Sequence, residues 1–167
     1  MTGTDVVDAV VGLTAGSPVA VLRRQREAFV RHTQGSHDVL ITPVDPAGVS
    51  LIERAVVALR VASIERDAAL VAHYRARLAA VDADRTAVAA GEGGAADGVP
   101  PRLAAILDHV SLVTTAPASA SKARLDALRQ AGLAPRDIVT ITQIVAFVSY
   151  QVRVVAGLRA LAQVTRA

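Results

Sequence analysis

The sequence predicts an all-α protein: a single-domain helical bundle of about six to eight helices spanning residues 1–167. Three observations carry that prediction. Apolar residues make up 52% of the chain, yet it has two Phe, two Tyr and no Trp, so the core must come from Ala, Val, Leu and Ile. Alanine is the best helix former and lets helices approach closely. Helix starts and stops recur along the chain, the clearest being Ser50 with Glu53, which reads as a capping box. The two halves also echo each other. A shift of 84 residues (137 minus 53) pairs Glu53 with Asp137, Val57 with Ile141, Val61 with Val145, Ala62 with Ala146 and Ile64 with Val148. A duplicated helical unit packing against itself accounts for that echo.

Residues 1–16 read as a short helix with Thr4 as its cap, an apolar face of Val6, Val7, Val10 and Val11, and Gly12 and Gly16 at its end. Ser17-Pro18 is a second start, a cap followed by proline at the first helical position. That helix runs through Val21, Leu22, Gln25 and Phe29, with Arg23, Arg24 and Arg26 turned outward. Residues 31–38 read as a solvated junction broken near Gly35. Its two histidines, His32 and His37, lie about 140° apart on a helix, so they share no face and do not by themselves form a metal site. Val39, Leu40 and Ile41 return to the core, and Pro43, Asp45, Pro46 and Gly48 form a loop leading to Ser50.

From Ser50 the chain is predicted to form a helix buried on most sides, its apolar surface interrupted only by Glu53, Arg54 and Arg60. A polar break at Glu65-Arg66-Asp67 precedes a second helix through about Leu78, carrying His73 and Tyr74. Asp82 is predicted to cap a short helix ending at Gly91. Residues 91–99 form a flexible glycine-rich loop within the domain, closed by Pro100-Pro101. A helix over 101–115 carries Leu103, Ile106, Leu107, Val110 and Val113. A shorter one around 120–131 stops at Gly132. The last helix starts near Pro135, and its uncharged run Ile138–Val152 is too short to span a bilayer and contains Thr140, Thr142, Gln143, Ser149 and Gln151, so it reads as a buried core helix.

Composition also excludes function classes. With no cysteine there is no disulfide, no thiol nucleophile and no thiolate metal ligand. The net charge is +3, but the basic residues, all arginine except Lys122, are spread along the chain with no aromatic-interleaved patch. That distribution argues against a nucleic-acid partner. No basic, apolar leader is recognisable at the N-terminus, so a cytoplasmic protein without a membrane partner is expected.

The run ERAVVALRVA at 53–62 and the helix after it resemble the alkylhydroperoxidase D-like or carboxymuconolactone decarboxylase family, whose pattern is a buried Glu-bearing helix followed by Cys-x-x-Cys-x-x-x-His. In that alignment Asp67 and Leu70 occupy the two cysteine positions. Tyr74 stands at the histidine, and His73 lies one residue early. The ending DIVTITQIVAFVSYQVRVVAGLRAL at 137–161 resembles the second-repeat signature of cysteine-lacking members, and the resemblance also takes in residues 23–38. It implies the alkylhydroperoxidase D-like fold and assembly as a dimer, trimer or hexamer. It does not imply thiol peroxidase activity, because neither Asp nor Leu can replace a thiolate nucleophile.

What remains is a small organic substrate bound between the 51–78 helices and the last helix, with no cofactor or metal. Glu53 and His73 are the candidate acid–base residues, joined by Tyr74; Arg60, Gln143, Tyr150 and Arg153 are the candidate substrate-binding residues. An antiparallel hairpin hinged near residue 65 would offset Glu53 and His73 by roughly 6 Å along the axis. The two are then expected to point into one polar cavity, about 8 Å apart. Arg153 ends a long uncharged run and would need an anion if buried. Each candidate also has a purely structural reading: Glu53 as the third residue of its capping box, His73 as a core or interface histidine, Tyr74 as packing. The competing function is a non-enzymatic oligomeric binding or accessory protein.

Overall fold

The computed structural model describes residues 5–94 and 98–165, and among them every regular element is helical. In order these are α1 (Val6–Val11), α2 (Pro18–Arg24), α3 (Glu27–Ile41), α4 (Leu51–Ile64), α5 (Ala68–Ala79), α6 (Arg85–Gly91), α7 (Pro101–Thr115), α8 (Lys122–Gln130) and α9 (Pro135–Val164), with a 3-10 turn at Pro117–Ser119. These nine α-helices exceed the expected six to eight because the second helix breaks where the sequence reading ran it on. Arg26 leaves helical geometry at φ −110°, ψ 52°, and α3 then runs straight through Gly35. Gly35 is exposed with open space around it, so its cost is only the roughly 1 kcal/mol of a glycine within a helix.

Several caps fall where the sequence places them. Ser50 and Glu53 form a reciprocal capping box. Ser17 caps α2 with Pro18 at its first position, and Gly12 ends α1 in the left-handed conformation. Others move by one or two residues. Asp5 caps α1, whereas the expected Thr4 lies outside the described residues, as does part of the 91–99 loop. Asp84 caps α6, and the expected Asp82 is instead a left-handed turn residue at φ 51°. Val39 does not return to the core: it is 68% exposed, and only Ile41 of that trio is buried. Arg23 does not face outward. It bridges Asp5 and Asp8 at 2.7 and 2.6 Å, tying α2 to the start of α1.

The core is organised around α4. Ala55 through Leu59, with Val61 and Ala62, are at most 3% exposed, enclosed by α3, α5, α6, α7 and α9. One approach is so close that a Cβ at Gly91 would lie 2.9 Å from Leu59 Cδ2, so α6 seats on α4 only through a glycine. The long helix α9 is apolar and long enough to cross a membrane by length and composition. However, 44% of its most apolar window is buried here, where Ile141, Ile144, Val145, Val148 and Val155 pack into the same core as α4.

Several positions 84 residues apart play matching parts. Asp137 stands at the third position of α9 as Glu53 does in α4, and its carboxylate accepts from the Ala134 amide. Gly48 and Gly132, also 84 apart, both give their carbonyls to the Arg102 guanidinium, at 2.7 and 2.9 Å. Glu65 and Ser149, 84 apart again, hydrogen bond to each other at 3.3 Å. The starts of α4 and α9 therefore meet at one polar seam. Within it Arg54, 5% exposed, spans the 40–49 loop by donating to the carbonyls of Leu40, Pro46 and Val49.

Candidate functional site

The structure does not assemble the predicted acid–base pair. Glu53 closes the capping box with one carboxylate oxygen and accepts from Arg102 Nε at 2.7 Å with the other. Both oxygens are committed to holding the start of α4. His73, in the middle of α5, contacts a different set of groups. Its Nε2 lies 3.4 Å from Nε2 of His37 on α3, and its ring meets the Tyr74 ring edge-on at 5.0 Å. The cavities that flank α9 are lined by neither Glu53 nor His73. Glu53 stands in the first turn of α4 and His73 midway along α5, and the hydrogen-bond partners of one are not those of the other.

The remaining candidates divide between structure and surface. Tyr74 is fully buried, and its hydroxyl donates to Oε1 of the equally buried Gln151 on α9. Burial pushes the phenol well above its ordinary pKa, so it stays protonated. Arg60 donates to Ser111 Oγ at 3.1 Å and to the Ala90 carbonyl at 3.3 Å, joining α4 to α7 and α6. Arg153 is exposed, not buried, and its charge is met by Glu65 at 3.4 Å and by the Ser149 carbonyl at 2.6 Å. The uncharged run before it suggested burial, but on a 30-residue helix position 153 falls on the outward face.

The positions that the resemblance aligns with cysteines are structural. Asp67 caps α5 by accepting from Ala69 and Leu70 amides and pairs with Arg159 at 2.6 Å. Burial alone would raise its pKa. The Arg159 and backbone hydrogen bonds outweigh that and hold the carboxyl below its ordinary value. Leu70 is a fully buried core residue.

Gln143 and Tyr150 do line cavities, though not between the 51–78 helices and the last helix, where α4 and α9 pack against each other. The cavities flank the outer side of α9. One of about 620 Å³ lies between α8 and α9, bordered by Leu125, Arg129, Val139, Thr142 and Gln143. Another, of about 410 Å³, lies between α3 and α9, lined by Phe29, His32, Thr33, Ser36, Phe147 and Tyr150. A third, of about 390 Å³, continues it toward α2 past Leu22 and Val154. The chain has only four Phe and Tyr residues, and three of them stand in the α3–α9 groove. Phe29 is 62% and Tyr150 40% exposed, and the Tyr150 hydroxyl is held by Thr33 Oγ1 at 3.0 Å.

Behind Phe147 sits the one cluster the sequence reading missed. His37 is buried, 6.5 Å centroid to centroid from Phe147, and its Nδ1 faces the Asp38 carboxylate at 3.2 Å. Nothing local signals that it meets His73, 36 residues away; only the crossing of α3 and α5 brings them together. Burial lowers the pKa of both imidazoles, that of His73 to about 4, with His37 and Arg77 adding to the His73 shift. The stability consequence has a definite sign. An unfolded histidine takes up its proton near pH 6.5, whereas folded His73 does so only near 4, so between those values the unfolded chain holds more protons. Stability is therefore expected to fall as pH drops from 6.5 to 4, by about 3 kcal/mol from His73. His37 and the buried His109, also shifted downward, add in the same direction. Urea midpoints across that window would show the slope, and His73→Gln should flatten it. A wild-type slope of zero would refute the assignment.

No known protein family and no curated protein matches the sequence. Among solved structures, the chain is similar to an uncharacterized peroxidase-related protein from Silicibacter sp. TM1040. The TM-score is 0.72 at 17% sequence identity, covering 87% of this chain and 86% of the other. The all-α bundle is thus shared with a peroxidase-related fold, over nearly the whole length of both chains.

Proposed function

We propose that this chain is a cysteine-less protein of the alkylhydroperoxidase D-like or carboxymuconolactone decarboxylase kind that binds an apolar small organic molecule in the α3–α9 groove, without catalysis by Glu53 or His73. One observation carries the reading. In a protein nearly devoid of aromatic residues, three of the four are gathered on one surface groove, and two of them remain substantially exposed. Packing alone gives no reason to leave Phe29 in water, whereas an apolar ligand does. His32, Thr33 and Ser36 supply the few polar groups that would orient it.

A fluorescent apolar anion such as anilinonaphthalene sulfonate tests this directly, because the chain has no tryptophan to interfere. Saturable one-to-one binding is expected, and it should be abolished by Ala146→Phe, which fills the groove from the exposed side of α9 without adding a tryptophan. Binding unchanged in that variant would sink the proposal. Peroxide reduction with any dithiol donor is expected to stay at the level of a heat-killed control, because no residue can form a sulfenate. Measurable turnover would overturn the non-redox reading.

A second reading rests on a second observation. Val21, Leu22, Phe29, Val139 and Tyr150 expose much of their side chains along α2, α3 and α9. The same face would serve as a contact between copies of the chain, so a homo-oligomer is expected at micromolar concentration by sedimentation, and Val139→Glu should dissociate it.

A further inference from the structure

Of the four histidines, two point their Nε2 atoms at each other across two helices. We propose that His37 and His73 together bind one divalent transition-metal ion between those Nε2 atoms, with water completing its coordination. Three features of the site lead there. The first is distance. Two imidazole nitrogens bound to one tetrahedral ion at about 2.0–2.1 Å stand roughly 3.4 Å apart, and the two Nε2 atoms are 3.4 Å apart. That separation is long for an N–H···N hydrogen bond, where about 2.9–3.0 Å is usual for nitrogen donors.

The second is a prepared ligand. The Asp38 carboxylate faces His37 Nδ1, which makes that nitrogen the protonated one and leaves Nε2 with its lone pair aimed at His73. Asp38 is itself held. The same oxygen accepts from Gln34 Nε2 at 2.7 Å, and Gln34 Oε1 accepts from the Val6 amide at 2.9 Å. A carboxylate behind a histidine, with its own partner behind it, is the arrangement that orients metal-bound imidazoles.

The third is charge and access. Half-buried His73 offers a way in from solvent. The charged groups facing the pair are Asp38 and Asp5, which favour a cation, and Arg77, one turn beyond His73, which opposes it. Among the described residues no group of three or more His, Cys, Asp or Glu side chains is placed to hold a metal. The site is therefore a two-imidazole one with open positions, and of the common divalent ions it should hold copper most tightly.

The test uses the full chain after chelator treatment, titrated with Cu2+ and, separately, with Co2+. One equivalent of Cu2+ is expected to bind, its electron paramagnetic resonance spectrum showing superhyperfine splitting from two imidazole nitrogens. The wild-type spectrum alone can overturn the proposal: splitting from one nitrogen or none refutes it, whatever the variants do. His37→Gln and His73→Gln should each weaken binding by about 100-fold, and Asp38→Asn, which keeps both ligands, by about tenfold. His32→Gln and His109→Gln should leave it unchanged. Circular dichroism confirms that each variant is folded before titration. Affinity indifferent to His37→Gln and His73→Gln, or lost equally in His32→Gln, would also refute the site.

Discussion

Replacing Tyr74 by alanine is expected to cost about 4 kcal/mol of stability, the range for truncating a large buried aromatic, and to lower the melting temperature by roughly 10 °C. The side chain is fully buried where α5 meets α9, among Leu70, Leu78 and their neighbours, with no exposed edge along which the cavity could relax. Its hydroxyl adds a separate term. Gln151 is also fully buried; its Oε1 accepts from Tyr74, and its Nε2 has no partner among the described residues. Tyr74→Phe keeps the ring but removes the side-chain hydrogen bond that Gln151 Oε1 accepts, so a loss of about 1.5 kcal/mol is expected. The double variant Tyr74→Phe, Gln151→Leu should recover part of that, because it removes both polar partners together. Urea midpoints of the wild type, Tyr74→Phe, Gln151→Leu and the double variant form a cycle. A Tyr74→Phe cost near zero would mean that the pair adds nothing to stability.

The second large effect is at Arg54. Its guanidinium is buried with no carboxylate in direct contact among the described residues, and burial lowers its pKa. It is held by the carbonyls of Val49, Leu40 and Pro46, at 2.9, 2.7 and 2.9 Å, with the Glu53 and Asp137 charges nearby. Arg54→Ala leaves those carbonyls short of a donor where water reaches them poorly, for an expected loss of about 3 kcal/mol. Arg54→Lys should restore less than half of it. An ammonium on a flexible stem cannot serve three carbonyls in a fixed planar fork. A lysine variant as stable as the wild type would show that charge, not the fork, holds the 40–49 loop. Faster amide exchange confined to that loop would locate the damage in the alanine variant.

Helix type and order were legible because they rest on local chemistry. The Ser50–Glu53 box, proline at the starts of α2, α7 and α9, and glycine after α1 and α8 announce themselves within a few residues. The exposed stripe of α9 was not legible. Nothing near position 150 says which side of so apolar a helix meets α4 and which meets solvent, so the sequence does not show that the substrate-binding candidates Tyr150 and Arg153 stand on the outward side. Glu53 illustrates the opposite limit. Its local role as a cap was readable, but its second partner, Arg102, lies 49 residues away and takes the oxygen that an acid–base role would need. The His37–His73 pair depends wholly on how two helices cross, which no spacing along the chain encodes.

The polar seam at Arg102 relates the two halves of the chain as subunits are related. In a symmetric dimer, equivalent residues touch each other or share a partner where the rotation axis passes. Here Glu65 touches Ser149, and Gly48 and Gly132 share one guanidinium, each pair separated by the same interval. The two halves therefore meet at these positions as the subunits of such a dimer would. They differ at the hinge: the first half bends at Arg66, and the second runs on unbroken as α9. The straight helix carries Tyr150 and the bent half carries His73, so the side chains that set the two halves apart lie beyond the point where their paths part.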